Sequence, residues 1–216
     1  MRVVDVVGFF RRSPRVALPL AGAAVIVACG LLLWVVASSG NSGGAGPQPF
    51  TAVATSTVAP VPASPVDRLV IPAINVDAAV TTKVVSDDLK MADPDGPQSV
   101  IWYDFSALPG LGGSPGAGGN SVLAGHFDYH DVGPAVFWNL AKIKAGDEIA
   151  LRLRDGSEYK YTAVSNRVVD AAAVSWDSIV ASTRQESVTL ITCAGTFDPG
   201  THSYAERRVV WAVRMG

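Results

Sequence analysis

Cysteine is almost missing from this chain: its 216 residues hold two, Cys29 and Cys193. That excludes a disulfide-stapled scaffold, and the absence of any CxxC or HExxH pattern removes the strongest sequence signals for zinc. Charge is scarce as well, at 17% of residues and a formal net charge of −2. No basic field is available to draw the chain to nucleic acid. Internal repeats are absent, and helical periodicity is rare.

What is present begins with a long apolar run. Arg2, Arg11, Arg12 and Arg15 precede it, and residues 16–37 carry no charge. As a helix the run would measure about 33 Å, enough to cross the hydrocarbon core of a bilayer. The arginines put residues 1–15 in the cytoplasm and everything after Ser38 outside, with Trp34 near the outer interface. Two other readings compete. A cleaved signal peptide would use the weak site around Ala37-Ser38-Ser39, and a lipoprotein would use the lipobox-like Ile26-Val27-Ala28-Cys29. Residues 38–66 are rich in Gly, Ser, Pro, Ala, Thr and Val and read as a spacer, flexible first and then stiffened by proline. The folded domain is expected over 67–216. With Cys29 inside a membrane span, Cys193 is the only thiol of an exported domain.

Short β-patterns fill that domain. Strands are expected at Arg68–Ile71, Val76–Thr82, Val100–Tyr103, Ser121–Gly125 and Glu148–Arg154. Asp155-Gly156 is a hairpin signal. Further strands run from Glu158 to about Val164, briefly at Val168-Val169, through Ser187–Cys193 up to a break at Gly195, and over Arg207–Arg214. Residues 106–120, rich in Gly and Pro, read as a loop. Val136–Leu140 reads as a short core-facing helix, and Ser175 as the cap of another. Many short strands with few helices argue an all-β barrel or sandwich.

Ser187–Cys193 delivers a thiol at the end of a buried strand, and His126 ends another strand. A thiol, an imidazole and a cation from Arg207 or Arg208 are the parts a cysteine nucleophile needs. Each part also has a plainer reading, as a small buried hydrophobe, a structural histidine or a solvated charge. Asp128, His130, Asp131 and His202 would join His126 and Cys193 in a zinc site if His126 and His130 lay on a helix. Asp87, Asp88, Asp93 and Asp95 could hold calcium or form a solvated turn. The two matches to G-x-S-x-G, at 40–44 and 112–116, lack the strand-to-helix context of a nucleophile elbow.

Three blocks together resemble the signatures of sortases, the cysteine transpeptidases of Gram-positive bacteria: Leu123-Ala124-Gly125-His126, Thr189-Leu190-Ile191-Thr192-Cys193 and Arg207-Arg208-Val209-Val210-Trp211-Ala212. The resemblance covers roughly 67–216. The Cys-Ala-Gly-x-Phe-Asp run from Cys193 to Asp198, together with Gly133–Phe137, is most similar to class F sortases of actinobacteria. It implies a sortase-like eight-stranded β-barrel behind an N-terminal anchor, with no cofactor. It also implies that Cys193 attacks the threonine carbonyl of an LPxTG-like sorting signal, and that an amine such as a peptidoglycan cross-bridge resolves the thioacyl-enzyme. His126 would be the general acid/base and Arg207 the stabiliser of substrate and oxyanion, with Arg208 and Thr192 contacting substrate. Neighbours in a strand face opposite ways, so only one arginine can face Cys193. Some class F members carry theirs at the position of Ala205. With thiol and imidazole near their ordinary values, a neighbouring cation would raise the thiolate share, and activity would peak between the two. The alternative is a sortase-shaped wall-binding or structural module without catalysis.

Overall fold

A computed structural model describes residues 64–216. The segments expected as cytoplasmic tail, anchor and most of the spacer lie outside them. Among the described residues no helix is long and apolar enough to cross a membrane.

The strands in chain order are β1 (Val66–Ile71), β2 (Val76–Val84), β3 (Val100–Asp104), β4 (Gly113–Ser114), β5 (Gly118–Gly125), β6 (Asp128–Tyr129), β7 (Gly133–Pro134), β8 (Glu148–Leu153), β9 (Glu158–Asp170), β10 (Ser187–Asp198) and β11 (Ser203–Arg214). One short helix, α1 (Trp176–Val180), lies before β10. The barrel runs β10-β11-β9-β8-β1-β2-β3-β5 and closes by pairing β5 back onto β10. Two pairings in the ring are parallel, β2–β3 and β5–β10, and the others are antiparallel. The fold is thus all-β, as the strand pattern implies, and closes into the eight-stranded barrel that the resemblance implies.

The barrel has two apolar layers, which explains the nearly continuous hydrophobic run of β10. Leu190 of β10, Leu123 of β5 and Val210 of β11 join the interior cluster with Leu69 and Tyr161. Their chain neighbours Ile191, Val122 and Val209 belong to a second cluster, covered by Ile179 and Val180 of α1. A strand buried on both faces shows no polar alternation.

Several sequence expectations need correction. Gly195 does not end its strand. It takes φ +79°, and the register of β10 on β11 shifts between Ala194 and Phe197, so the chain bulges and pairs on to Asp198. Val168-Val169 is no separate strand but the far end of β9, kept continuous by a register shift opposite Trp211 and Ala212. The expected loop at 106–120 contains β4 and the start of β5. Val136–Leu140 is a set of turns leading into a 3-10 turn at Leu140–Lys142, although Val136, Phe137 and Leu140 are buried as expected. Ser175 stands at the N-cap of α1, but its side chain makes no capping hydrogen bond.

Candidate active site

Two strand pairings decide which side chains meet. In the antiparallel β10–β11 ladder Cys193 lies directly opposite Arg207. In the parallel β5–β10 ladder Leu190 pairs with Leu123 and Ile191 with Ala124. Two residues further on from that pair stand Cys193 and His126, so the parallel pairing carries both to one rim. Thr192 secures this join: its buried hydroxyl donates to the Gly125 carbonyl at 2.8 Å. The hydroxyl hydrogen is thus committed within the protein and ties the two strands together, while Thr192 itself lines the same pocket as Cys193. Replacing Thr192 with valine keeps the shape and strands that carbonyl. We expect the variant to lose about 1–2 kcal/mol in urea unfolding.

Gly125, just before His126, has no room for a side chain. A Cβ there would lie 2.7 Å from Val136 Cγ1 and 2.8 Å from Phe137 Cδ2. Absence of a side chain lets the strand end pack against the 3-10 region and sets where the imidazole begins. The His126 ring lies edge-on to Tyr129, with centroids 5.2 Å apart. Its Nε2 is 3.1 Å from the Pro94 carbonyl oxygen. A carbonyl only accepts, so Nε2 carries the proton and Nδ1 is left to exchange one.

Cys193, His126 and Arg207 line a common pocket of about 260 Å³. Ala124, Ile191, Tyr103 and Trp176 give it apolar walls, and Leu89, Met91 and Pro94 from the segment between β2 and β3 cover its other side. The Tyr103 hydroxyl donates to the Ala92 carbonyl at 2.6 Å, tying that segment down. Leu89 there adopts a left-handed φ of 55°, an uncommon backbone state for leucine.

Burial pushes the Cys193 thiol above its ordinary pKa. The Arg207 guanidinium pulls the other way, while the Asp128 and Asp93 carboxylates add to the rise. Desolvation therefore outweighs the cation, against the expectation of a thiol made acidic by its arginine. Arg207 is itself buried, and its Nη1 donates to the Tyr204 carbonyl at 2.7 Å and the Glu206 carbonyl at 2.9 Å.

Arg208 is not part of this wall. Its Nη1 donates at 2.9 Å to Asn166 Oδ1 of β9. The Asn166 amide donates in turn to the carbonyls of Leu140 and Ile143, each at 2.9 Å. Arg208, expected to contact substrate, does not line the pocket and braces the 3-10 region through Asn166. The zinc grouping fails as well, because 126–134 forms the small β6–β7 hairpin and no helix. His130 is exposed and pairs with Asp131 at 3.1 Å. In the acidic stretch, Asp88 pairs with Lys90 and Asp95 with Lys83. Among the described residues no group of three or more His, Cys, Asp or Glu is arranged to hold a metal.

Sequence reasoning missed Tyr204 and Pro94 altogether and weighed Asp128 only as a zinc ligand. The Tyr204 hydroxyl donates to Asp128 Oδ2 at 2.5 Å, across 76 residues of chain, and nothing local signals that bond.

The arrangement is that of a half-buried thiol sharing its pocket with a base and a cation. A sortase-domain family model matches residues 69–215. Sortase C-1 from Actinomyces oris is similar in structure, with a TM-score of 0.51 at 26% identity, covering 69% of this chain and 73% of that one. A Clostridium perfringens sortase D5 transpeptidase gives 0.50 at 19% identity, covering 70% and 79%. A lid mutant of sortase A from Corynebacterium diphtheriae gives 0.50 at 23%, covering 71% and 72%. No curated protein matches the sequence.

Proposed function

The chain belongs to the sortase family, whose members are cysteine transpeptidases, and from that premise we propose that it cleaves an LPxTG-like sorting signal and transfers the acyl part to an amine. The observation that carries the reading is the convergence on one pocket of Cys193 from β10, Arg207 opposite it on β11, and His126 just past the end of β5. The Cys193 thiolate attacks the threonine carbonyl and forms a C–S bond. Arg207 stabilises the oxyanion with the donors that do not face its own strand. As the peptide C–N bond breaks, His126 gives a proton to the departing amine, leaving a thioacyl-enzyme. The second substrate, an amine, then displaces the thiol. Apolar walls at Ala124, Ile191 and Trp176 suit the leucine and proline of such a signal.

The proposal extends to the chain's organisation. Residues 16–37 serve as a membrane anchor, 38–66 as a spacer and 67–216 as a catalytic domain outside the cell, acting on surface proteins with a peptidoglycan cross-bridge as acceptor. The sequence run from Cys193 to Asp198 supports assignment to class F.

The test is a fluorogenic LPxTG-like peptide with the soluble domain and its Cys193→Ala variant. Turnover by the wild type, loss of at least about three orders of magnitude in the variant, and a thioacyl adduct on Cys193 by mass spectrometry are expected. Equal turnover by the two proteins would leave a wall-binding module as the better reading.

A further inference from the structure

His126, Cys193 and Arg207 form one wall of the pocket, and a second set of side chains stands behind that wall. Phe127 directly follows His126. Its ring stacks on Trp138 at 4.4 Å between centroids and meets Tyr204 edge-on at 5.9 Å. Tyr204 in turn meets Phe197 at 5.2 Å. The four rings make a ladder, Trp138–Phe127–Tyr204–Phe197, whose ends are open to solvent: Trp138 is 42% and Phe197 44% exposed. One carboxylate lies against the ladder, Asp128, bonded through Oδ2 to the Tyr204 hydroxyl. A carboxylate can accept several further hydrogen bonds, and no other is made to Asp128 among the described residues.

This surface adjoins the reacting atoms without belonging to the pocket. None of Phe127, Asp128, Tyr204 and Phe197 lines the space bounded by Ile191, Tyr103 and Trp176. Yet Asp128 raises the pKa of the Cys193 thiol, and the thiol and Asp128 both raise that of the Tyr204 phenol, after burial. The β10–β11 ladder places the Phe197–Tyr204 pair a few residues beyond the Cys193–Arg207 pair. Tyr204 also holds Arg207 through its carbonyl.

We propose that Asp128 and the aromatic ladder form the acceptor subsite, which binds the ammonium group of the amine that resolves the thioacyl-enzyme. The proposal rests on the transpeptidase reading and gives its second substrate a place. Charge complementarity selects the ligand class: ring faces and one carboxylate attract a compact cation, and the pocket proper has its own apolar occupant. The chemistry balances as follows. The bound R–NH3+ releases one proton to water. The freed lone pair attacks the thioester carbonyl, so that a C–N bond forms and the C–S bond breaks. The amine's second proton passes through His126 to the leaving sulfur, and the products are the amide, the Cys193 thiol and one proton in solution.

The experiment measures how the thioacyl-enzyme partitions between transfer and hydrolysis, a ratio independent of how fast it forms. Two acceptors are compared near neutral pH: Nα-acetyl-lysinamide, a cation, and hydroxylamine, which is uncharged. Asp128→Asn is expected to lower the transfer-to-hydrolysis ratio for the lysine derivative about tenfold while moving the hydroxylamine ratio less than about twofold. Phe127→Leu, which keeps the carboxylate and removes the central ring, is expected to act in the same direction and serves if Asp128→Asn does not fold. Equal losses with both acceptors, or no loss with either, would overturn the subsite. A wild-type protein that shows no Cys193-dependent cleavage would instead overturn the parent reading, and the subsite with it.

Discussion

Replacing Arg207 with methionine is expected to lower kcat/KM on a sorting-signal peptide by about 10²–10³-fold, the usual loss when one donor to a developing oxyanion is removed. A second readout separates this from a general loss of structure. Burial holds the thiol's pKa high, and the guanidinium is the cation that opposes the rise. Without it, Cys193 should ionise at still higher pH. The rate of alkylation by iodoacetamide, followed against pH, should therefore shift to the alkaline side in Arg207→Met. In the wild type its midpoint should already lie above that of a free cysteine, about 8.5. Asp128→Asn should shift the midpoint the other way, since that carboxylate contributes to the rise. Arg208→Met is the contrast: it removes the hydrogen bond to Asn166, costs about 1 kcal/mol of stability, and does not move the alkylation curve. Movement of the curve in Arg208→Met but not in Arg207→Met would reverse the assignment of the two arginines.

The largest stability effect is expected from Leu190→Ala. Leu190 is fully buried in the barrel interior and pairs with Leu123 across the parallel join. Truncating a buried leucine costs its transfer free energy plus that of the cavity left behind, about 3–5 kcal/mol where neighbours cannot collapse. Closed ladders on either side restrict such collapse. The change corresponds to a fall in Tm of about 6–20 °C for a domain of this size. Calorimetry or urea unfolding measures it, and a drop below about 1 kcal/mol would show that the interior repacks freely.

Much of this was legible in the chain, for reasons that particular residues make clear. β10 and β11 announce themselves because β-branched and aromatic residues crowd them, and strict alternation along a strand separates Arg207 from Arg208. Gly195 misled because glycine signals both a strand's end and a bulge within it; the choice depends on β11, which continues to pair beyond that point. Val164–Arg167 looked like an interruption of β9 because its residues are mixed in polarity, yet Asn166 is held in place by distant carbonyls and Arg208. β4 is a glycine and a serine with no intrinsic strand preference, formed only because β5 lies beside it. The rise in the thiol's pKa was missed for a similar reason: desolvation depends on what covers the sulfur, and the covering segment around Pro94 comes from far along the chain.

The closure of the barrel bears on how the candidate site comes into being. Cys193 acquires Arg207 from the adjacent strand of a hairpin, a local event. It acquires His126 from a strand 67 residues away, through the pairing that also bonds Thr192 to Gly125. Ring closure and arming of the nucleophile are thus one step. In a chain whose ring is still open, the sulfur has its arginine but lacks the imidazole.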